Sequence, residues 1–146
     1  MSINDARAQN AFEFIQSISG SNKEMKEFRS LARSFPAMVQ NNGINIAVAF
    51  LLTKSERHKK LYDCLAKWLV GRDLIKSEEL KVALKALECS NNDQGSNPNH
   101  RLAFTKSLIE LEREEYRLVS QEVMEYASWI KRFAEGRWAK DGKEKQ

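Results

Sequence analysis

FPAMVQNNGINIAVAFLL, residues 35–52, passes from a proline through a polar corner ending at Gly43 into nine residues, Ile44 to Leu52, of which only Asn45 is polar. A polar corner followed by a short helix has two readings. It is either the turn of a DNA-reading helix-turn-helix or a hinge that drives a helix into the protein interior. A reading helix must offer Arg, Asn, Gln or Lys to base edges on its outward face. Here Ile44, Ile46, Val48, Phe50, Leu51 and Leu52 spread around the whole cylinder, the pattern of a helix buried on every side, with Ala47 and Ala49 as its small residues. The corner therefore reads as a hinge into a core.

The sequence on either side is helical in period. Apolar residues recur at spacings of three and four, and no stretch alternates with the period of two that a half-buried strand requires. The expected fold is all-α: a single compact domain over 1–146 with about six helices, a long C-terminal helix and a frayed tail at 140–146. A first helix covers about 3–18 and stops at SGSN. Ser21 and Glu24 form a capping-box pattern that starts the second, and Pro36 should break or restart it. Gly43 is the expected left-handed stop. Further helices follow at 44–52, about 56–70 and, after Ser77, about 78–88. Residues 90–100 form a polar loop around SNNDQGSNPN. From about 101 to 138 the period runs on through Leu108, Tyr116, Val119, Val123, Ala127, Ile130, Ala134 and Trp138. Unbroken, that segment would be about 57 Å long at about 1.5 Å per residue, so it must bend or reach past the core.

Composition narrows the function classes. A chain of 146 residues is one domain in length and buries roughly 70% of its unfolded surface. No apolar run approaches the roughly 18 residues of a membrane span, and MSINDARAQN lacks the apolar region of a signal peptide, so a cytoplasmic protein without a membrane partner is expected. Cys64 and Cys89, with only His58 and His100 beside them, give neither a disulfide framework nor a zinc spacing. No phosphate-cradling glycine loop, HExxH or GxSxG occurs, so no cofactor, metal or catalytic residue is expected. His58 lies in the basic run KSERHKK as a surface residue, and His100 borders the polar loop. Glu110, Glu112, Glu114 and Glu115 alternate with Arg113 and Arg117, where ion pairing along an exposed helix accounts for them.

The basic surplus of 24 Lys and Arg over 20 acids is uneven. Residues 1–53 carry five basic and four acidic side chains, 54–87 nine and five, 88–100 none and two, and 101–146 ten and nine. Lys54, Arg57, Lys60 and Lys67 follow helical spacing opposite Leu61, Leu65, Trp68 and Leu69, a candidate phosphate track. Arg113, Arg117, Ser128 and Lys131 fall within about 60° of one another on the last helix, with Arg132 and Arg137 nearby and Glu110 and Glu135 interrupting. Trp68, Tyr116, Tyr126 and Phe133 sit mostly at core spacing rather than between the cations, so contact with a nucleic-acid backbone is expected rather than base stacking.

Four segments carry a resemblance. AFEFIQSI near the start, ARSFPAMVQNNGINIAVAFLL, LYDCLAKWL at 61–69 and EYRLVSQEVMEYASWIKRFAEGRWA at 115–139 together resemble the small subunit of the type III-B CRISPR RNA-silencing complex, the Cmr family. PAMVQNNG and WIKRFAEG are the most specific pieces, and Val70 to Leu102 contributes nothing to the match. The resemblance implies a non-catalytic helical subunit that stacks with its own copies beside other Cmr subunits on guide or target RNA. Lys131, Arg132 and Arg137 lie in the matched part, and their assignment to RNA rests on charge and spacing. The alternatives are the small filament subunit of the related type III-A complex and a helical nucleic-acid-binding regulator.

Overall fold

The computed structural model describes residues 2–53, 56–89 and 99–137. Among them the chain forms seven α-helices and no strand: α1 (Ile3–Ser17), α2 (Asn22–Asn42), α3 (Ile44–Leu52), α4 (Glu56–Gly71), α5 (Glu78–Cys89), α6 (Asn99–Ile109) and α7 (Arg113–Arg137). No helix among the described residues is long and apolar enough to cross a membrane. The expected frayed tail and Trp138 lie outside the described residues, as do 90–98 of the polar loop. The chain divides into two compact units, Met1–Ala47 with Glu122–Gln146, and Val48–Gln121.

In the first unit α1 starts at Ser2, whose hydroxyl accepts from the Asp5 amide, and α2 starts on the expected capping box. The Ser21 amide donates to Glu24 at 2.8 Å while the Glu24 amide donates to the Ser21 hydroxyl at 3.2 Å, which satisfies two orphan amides. Pro36 does not break α2. The helix runs through it to Asn42, losing only the bond a residue 36 amide would make to the Ala32 carbonyl. That loss costs about 3 kcal/mol. Phe35 and Val39, 1% and 4% exposed on either side, contribute about 1.5–3 kcal/mol each by burial, so continuity wins.

Gly43 closes α2 with φ 89° and ψ 160°, a positive φ that glycine adopts without strain. Its amide donates to Val39 while its carbonyl accepts from Ala47, so one residue ends α2 and begins α3. The hinge reading holds, but α3 is not buried all round. Ile44, Ala47, Val48 and Leu51 face inward, whereas Ile46 is 61% exposed and Asn45 and Ala49 are exposed beside it. Spacings of three and four select one stripe even from a helix apolar on every side. The outward face still holds a single polar residue, Asn45, so a base-reading role is not restored.

The rest of this unit packs α1, α2 and the last part of α7 around Ile15, Phe28, Phe35, Tyr126 and Ile130. Glu122, only 5% exposed, accepts two hydrogen bonds from the Arg7 guanidinium at 2.7 and 2.9 Å. The Glu122 hydrogen bond holds the Arg7 pKa above even its ordinary high value, against the opposing effect of burial. The buried Tyr126 hydroxyl donates to Asn10 Oδ1 at 2.6 Å.

In the second unit α4 ends in a Schellman motif, the Leu74 amide donating to Leu69 and the Asp73 amide to Val70, with Asp73 left-handed at φ 63°. Ser77 caps α5 through the Leu80 amide, as its sequence position predicts. Helix α6 begins at Asn99, so Asn99 and His100 are helical rather than loop. The long periodic segment divides at 110–112. Glu112 is the turning point: its amide donates to the Glu115 carboxylate at 3.0 Å, one of the two bonds of a capping box, and its carbonyl accepts from Tyr116 at the start of α7.

Candidate nucleic-acid interface

Helix α4 presents its cations because Leu61, Tyr62, Leu65, Ala66 and Leu69 take the core side of the cylinder. Lys60 and Lys67 are exposed on the other side, and Arg57 is half-buried with a contact of its own. Lys54 lies outside the described residues. Lys67 also joins a residue set that spacing along one helix could not reveal. It lines an open groove of about 470 Å³ together with Lys81 and Lys85 of α5 and the apolar Val70, Val82 and Leu84. Among the described residues the one carboxylate on this groove, Glu78, stands 3.8 Å from Lys81, so the described rim keeps a positive surplus.

The second expected stripe is not one uniform surface. Arg113 is exposed, and Arg117 is paired with Glu114 one turn earlier. Lys131 lies in a separate cleft of about 340 Å³ between α7 and α2, with Ser30, Ser34, Arg33 and Glu135. Arg132 places its guanidinium 5.1 Å from the centre of the Trp129 ring. Trp129 in turn stacks on Phe133 at 5.5 Å and 24°, and Phe133 meets Phe12 edge-on. Phe133 is therefore half-exposed and part of an outward aromatic row, not a core residue as its spacing predicts. Arg137 donates to the Ile15 carbonyl at the end of α1, which commits part of its guanidinium to holding the fold.

Helix α2 carries a further basic stripe, outside the two expected from the sequence. Lys23, Lys26, Arg29 and Arg33 are spaced three, three and four apart, which keeps them on one side of the helix. The balance of five basic to four acidic residues over 1–53 conceals this, because four of those five cations share one helix.

The residues that could have supported chemistry are otherwise engaged. His100, in the first turn of α6, is not an open side chain: it is 3% exposed, with Nε2 2.7 Å from Asp63 Oδ1. Arg101 donates to both Asp63 oxygens at 3.0 and 2.8 Å. Burial alone would raise the Asp63 carboxyl, but the bonds from His100 and Arg101 outweigh it and hold the group below the usual carboxylate range. Next to it the Tyr62 phenol, pushed up to about 12 by burial, donates to the Arg101 carbonyl at 3.0 Å and shares a short contact with the Thr105 hydroxyl. This network clamps α6 onto α4. Glu115 caps the start of α7 and Glu114 pairs with Arg117, while Glu110 and Glu112 precede the helix, and no group of three or more His, Cys, Asp or Glu among the described residues could hold a metal ion.

No curated protein sequence matches this chain. The crystal structure of a CRISPR-associated Cmr5 family protein from Thermus thermophilus is similar, with a TM-score of 0.64 and 25% identity over 93% of this chain and 97% of that chain. The family model for CRISPR-associated proteins of the Cas_Cmr5 type matches residues 3–137, which is nearly the whole chain and all seven helices. The chain belongs to the Cas_Cmr5 family of CRISPR-associated proteins.

Proposed function

We propose that this chain is a non-catalytic structural subunit of a type III-B effector complex, a single helical domain that works in the cytoplasm. It stacks with its own copies beside the other Cmr subunits and touches guide or target RNA through the phosphate backbone. The observation that carries this reading is the family match over 3–137. The exposed Lys60 and Lys67 and the lysine-rimmed groove beside them support the RNA contact. His100, Glu114 and Glu115, already bound within the fold, support a structural role. The RNA contact is assigned to charge alone, so its affinity is independent of sequence and falls steeply with salt.

The test replaces Lys54, Lys60 and Lys67 together with Ala. Arg57 is left in place because it is half-buried and makes its own contact. Circular dichroism should be unchanged, since Lys60 and Lys67 face away from the core. Each lost phosphate contact lowers the slope of log affinity against log salt by about 0.7 for a single strand, so the triple variant should lose up to about 2.1. A triple variant that binds single-stranded RNA with the wild-type affinity and slope removes α4 from the interface.

A further inference from the structure

We propose that the cleft between α2 and α7 is a second phosphodiester-binding site, built on Arg33 and Lys131, and that Glu135 is its resident competing anion. The inference rests on the RNA-contacting reading above and adds to it a site on residues that the α4 surface does not include.

The cleft brings two cations from different helices to one place, with the Ser30 and Ser34 hydroxyls on its wall. Arg33 Nε is 3.0 Å from a Glu135 oxygen. Lys131 makes no ion pair among the described residues, so two cations share one carboxylate and the cleft keeps a net positive charge. Glu135 is a planar oxyanion held by a guanidinium, which is the interaction a phosphodiester oxygen would make in its place. It is also easily displaced. The Arg33 and Glu135 side chains are 49% and 34% exposed, and an ion pair so open to water contributes little. A polyanion that reaches Lys131 as well gains a second cation that Glu135 alone does not neutralise.

The approach to the cleft is basic along α2. Arg29 lies one turn before Arg33, and its Nε is buried with no hydrogen-bond partner. Lys23 and Lys26 extend the same stripe toward the start of the helix. A strand following α2 would thus meet cations at about one per helical turn and arrive at Arg33 and Lys131. Contacts of this kind hold the backbone and carry no base information.

The test uses the full chain and a fluorescein-labelled oligouridylate, followed by anisotropy across a salt series. Arg33→Ala and Glu135→Gln both destroy the same ion pair, so a merely structural role would move both variants in one direction. The proposal requires opposite directions. Glu135→Gln removes the competing charge and should tighten binding about threefold. The double variant Arg33→Ala with Lys131→Ala should weaken binding about tenfold and lower the salt slope by about 1.4. If wild type binds RNA and both variants bind like it, or shift the same way, the cleft is not a phosphate site while the α4 reading stands. If wild type binds no RNA at physiological salt, both are overturned.

Discussion

Removing the carboxylate of Glu122 should be the most damaging single polar change in the unit that contains α1 and α2. Glu122 is 5% exposed and accepts both hydrogen bonds of the Arg7 fork, whose side chain is itself 15% exposed. Glu122→Ala leaves the largely buried guanidinium without its hydrogen-bonded counter-charge, and breaking such a pair costs about 3–5 kcal/mol. Against a total stability of about 5–15 kcal/mol that is a large share. With each kcal/mol worth about 2–4 °C in a domain near this size, Tm should fall by about 10 °C. The reverse limb of the cycle decides the cause. Replacing both partners by methionine, which fills similar volume without charge, should recover most of the loss, because a buried pair and an apolar pair of the same shape are close in energy. Thermal melts by circular dichroism on Arg7→Met, Glu122→Met and the double methionine variant give the coupling directly. A Glu122→Ala melting point within about 2 °C of wild type, or a double variant as unstable as the single, would refute the claim that this is a desolvated ion pair.

Ala47 is fully buried in α3 while Ala49 is exposed, so Ala47→Arg should cost several kcal/mol and Ala49→Arg less than about 0.5; chemical denaturation of the pair would contradict the hinge geometry if the order were reversed. Asp63→Asn should destabilise by about 2–4 kcal/mol at neutral pH by weakening the hold on His100 and Arg101. Because the native Asp63 pKa is depressed, its contribution is present above the unfolded value of about 3.9 and disappears as pH falls through the native one. The gap between wild type and Asp63→Asn in urea unfolding should therefore close in acid, and a constant gap would sink the assignment. The Tyr62 phenol titrates at about 12 in the fold, so the stability it contributes is full below the unfolded value of about 10 and is lost as pH rises through the native one. Tyr62→Phe should remove that alkaline loss, and identical alkaline melts would argue that Tyr62 is not held neutral by burial.

Helix content and most helix ends could be read from the residues because their signals are local. The Ser21–Glu24 box, the Gly43 stop and the Ser77 cap each depend on a hydrogen bond within a few residues, and each is present. What could not be read depends on packing. Nothing at Pro36 shows that Phe35 and Val39 will both be buried, which is what carries α2 through the proline. Nothing at 110–112 resembles a breaker: no glycine or proline stands there, and the turn rests on the Glu115 carboxylate reaching back to the Glu112 amide. An all-apolar helix such as α3 hides its outward face, because hydropathy carries no contrast around the cylinder.

The site follows the same division. The α4 cations could be placed because they oppose a clear apolar stripe, whereas Lys81 and Lys85 join Lys67 only through the packing of α5. Arg33 faces Lys131 across a cleft between helices nearly a hundred residues apart in the chain, a pairing that no local spacing encodes. His100 lies next to the polar tract in sequence but is fixed by Asp63, 37 residues away.

Membership of an RNA-bearing effector complex is tested by purification of the tagged chain from its native cell at physiological salt, followed by native mass spectrometry and sequencing of bound RNA. A structural subunit should be recovered in a particle that contains other Cmr subunits, RNA and more than one copy of this chain, with all the copies lost together when the RNA-bearing complex is dismantled. Recovery of the chain alone, with neither CRISPR-associated partners nor RNA, would contradict it.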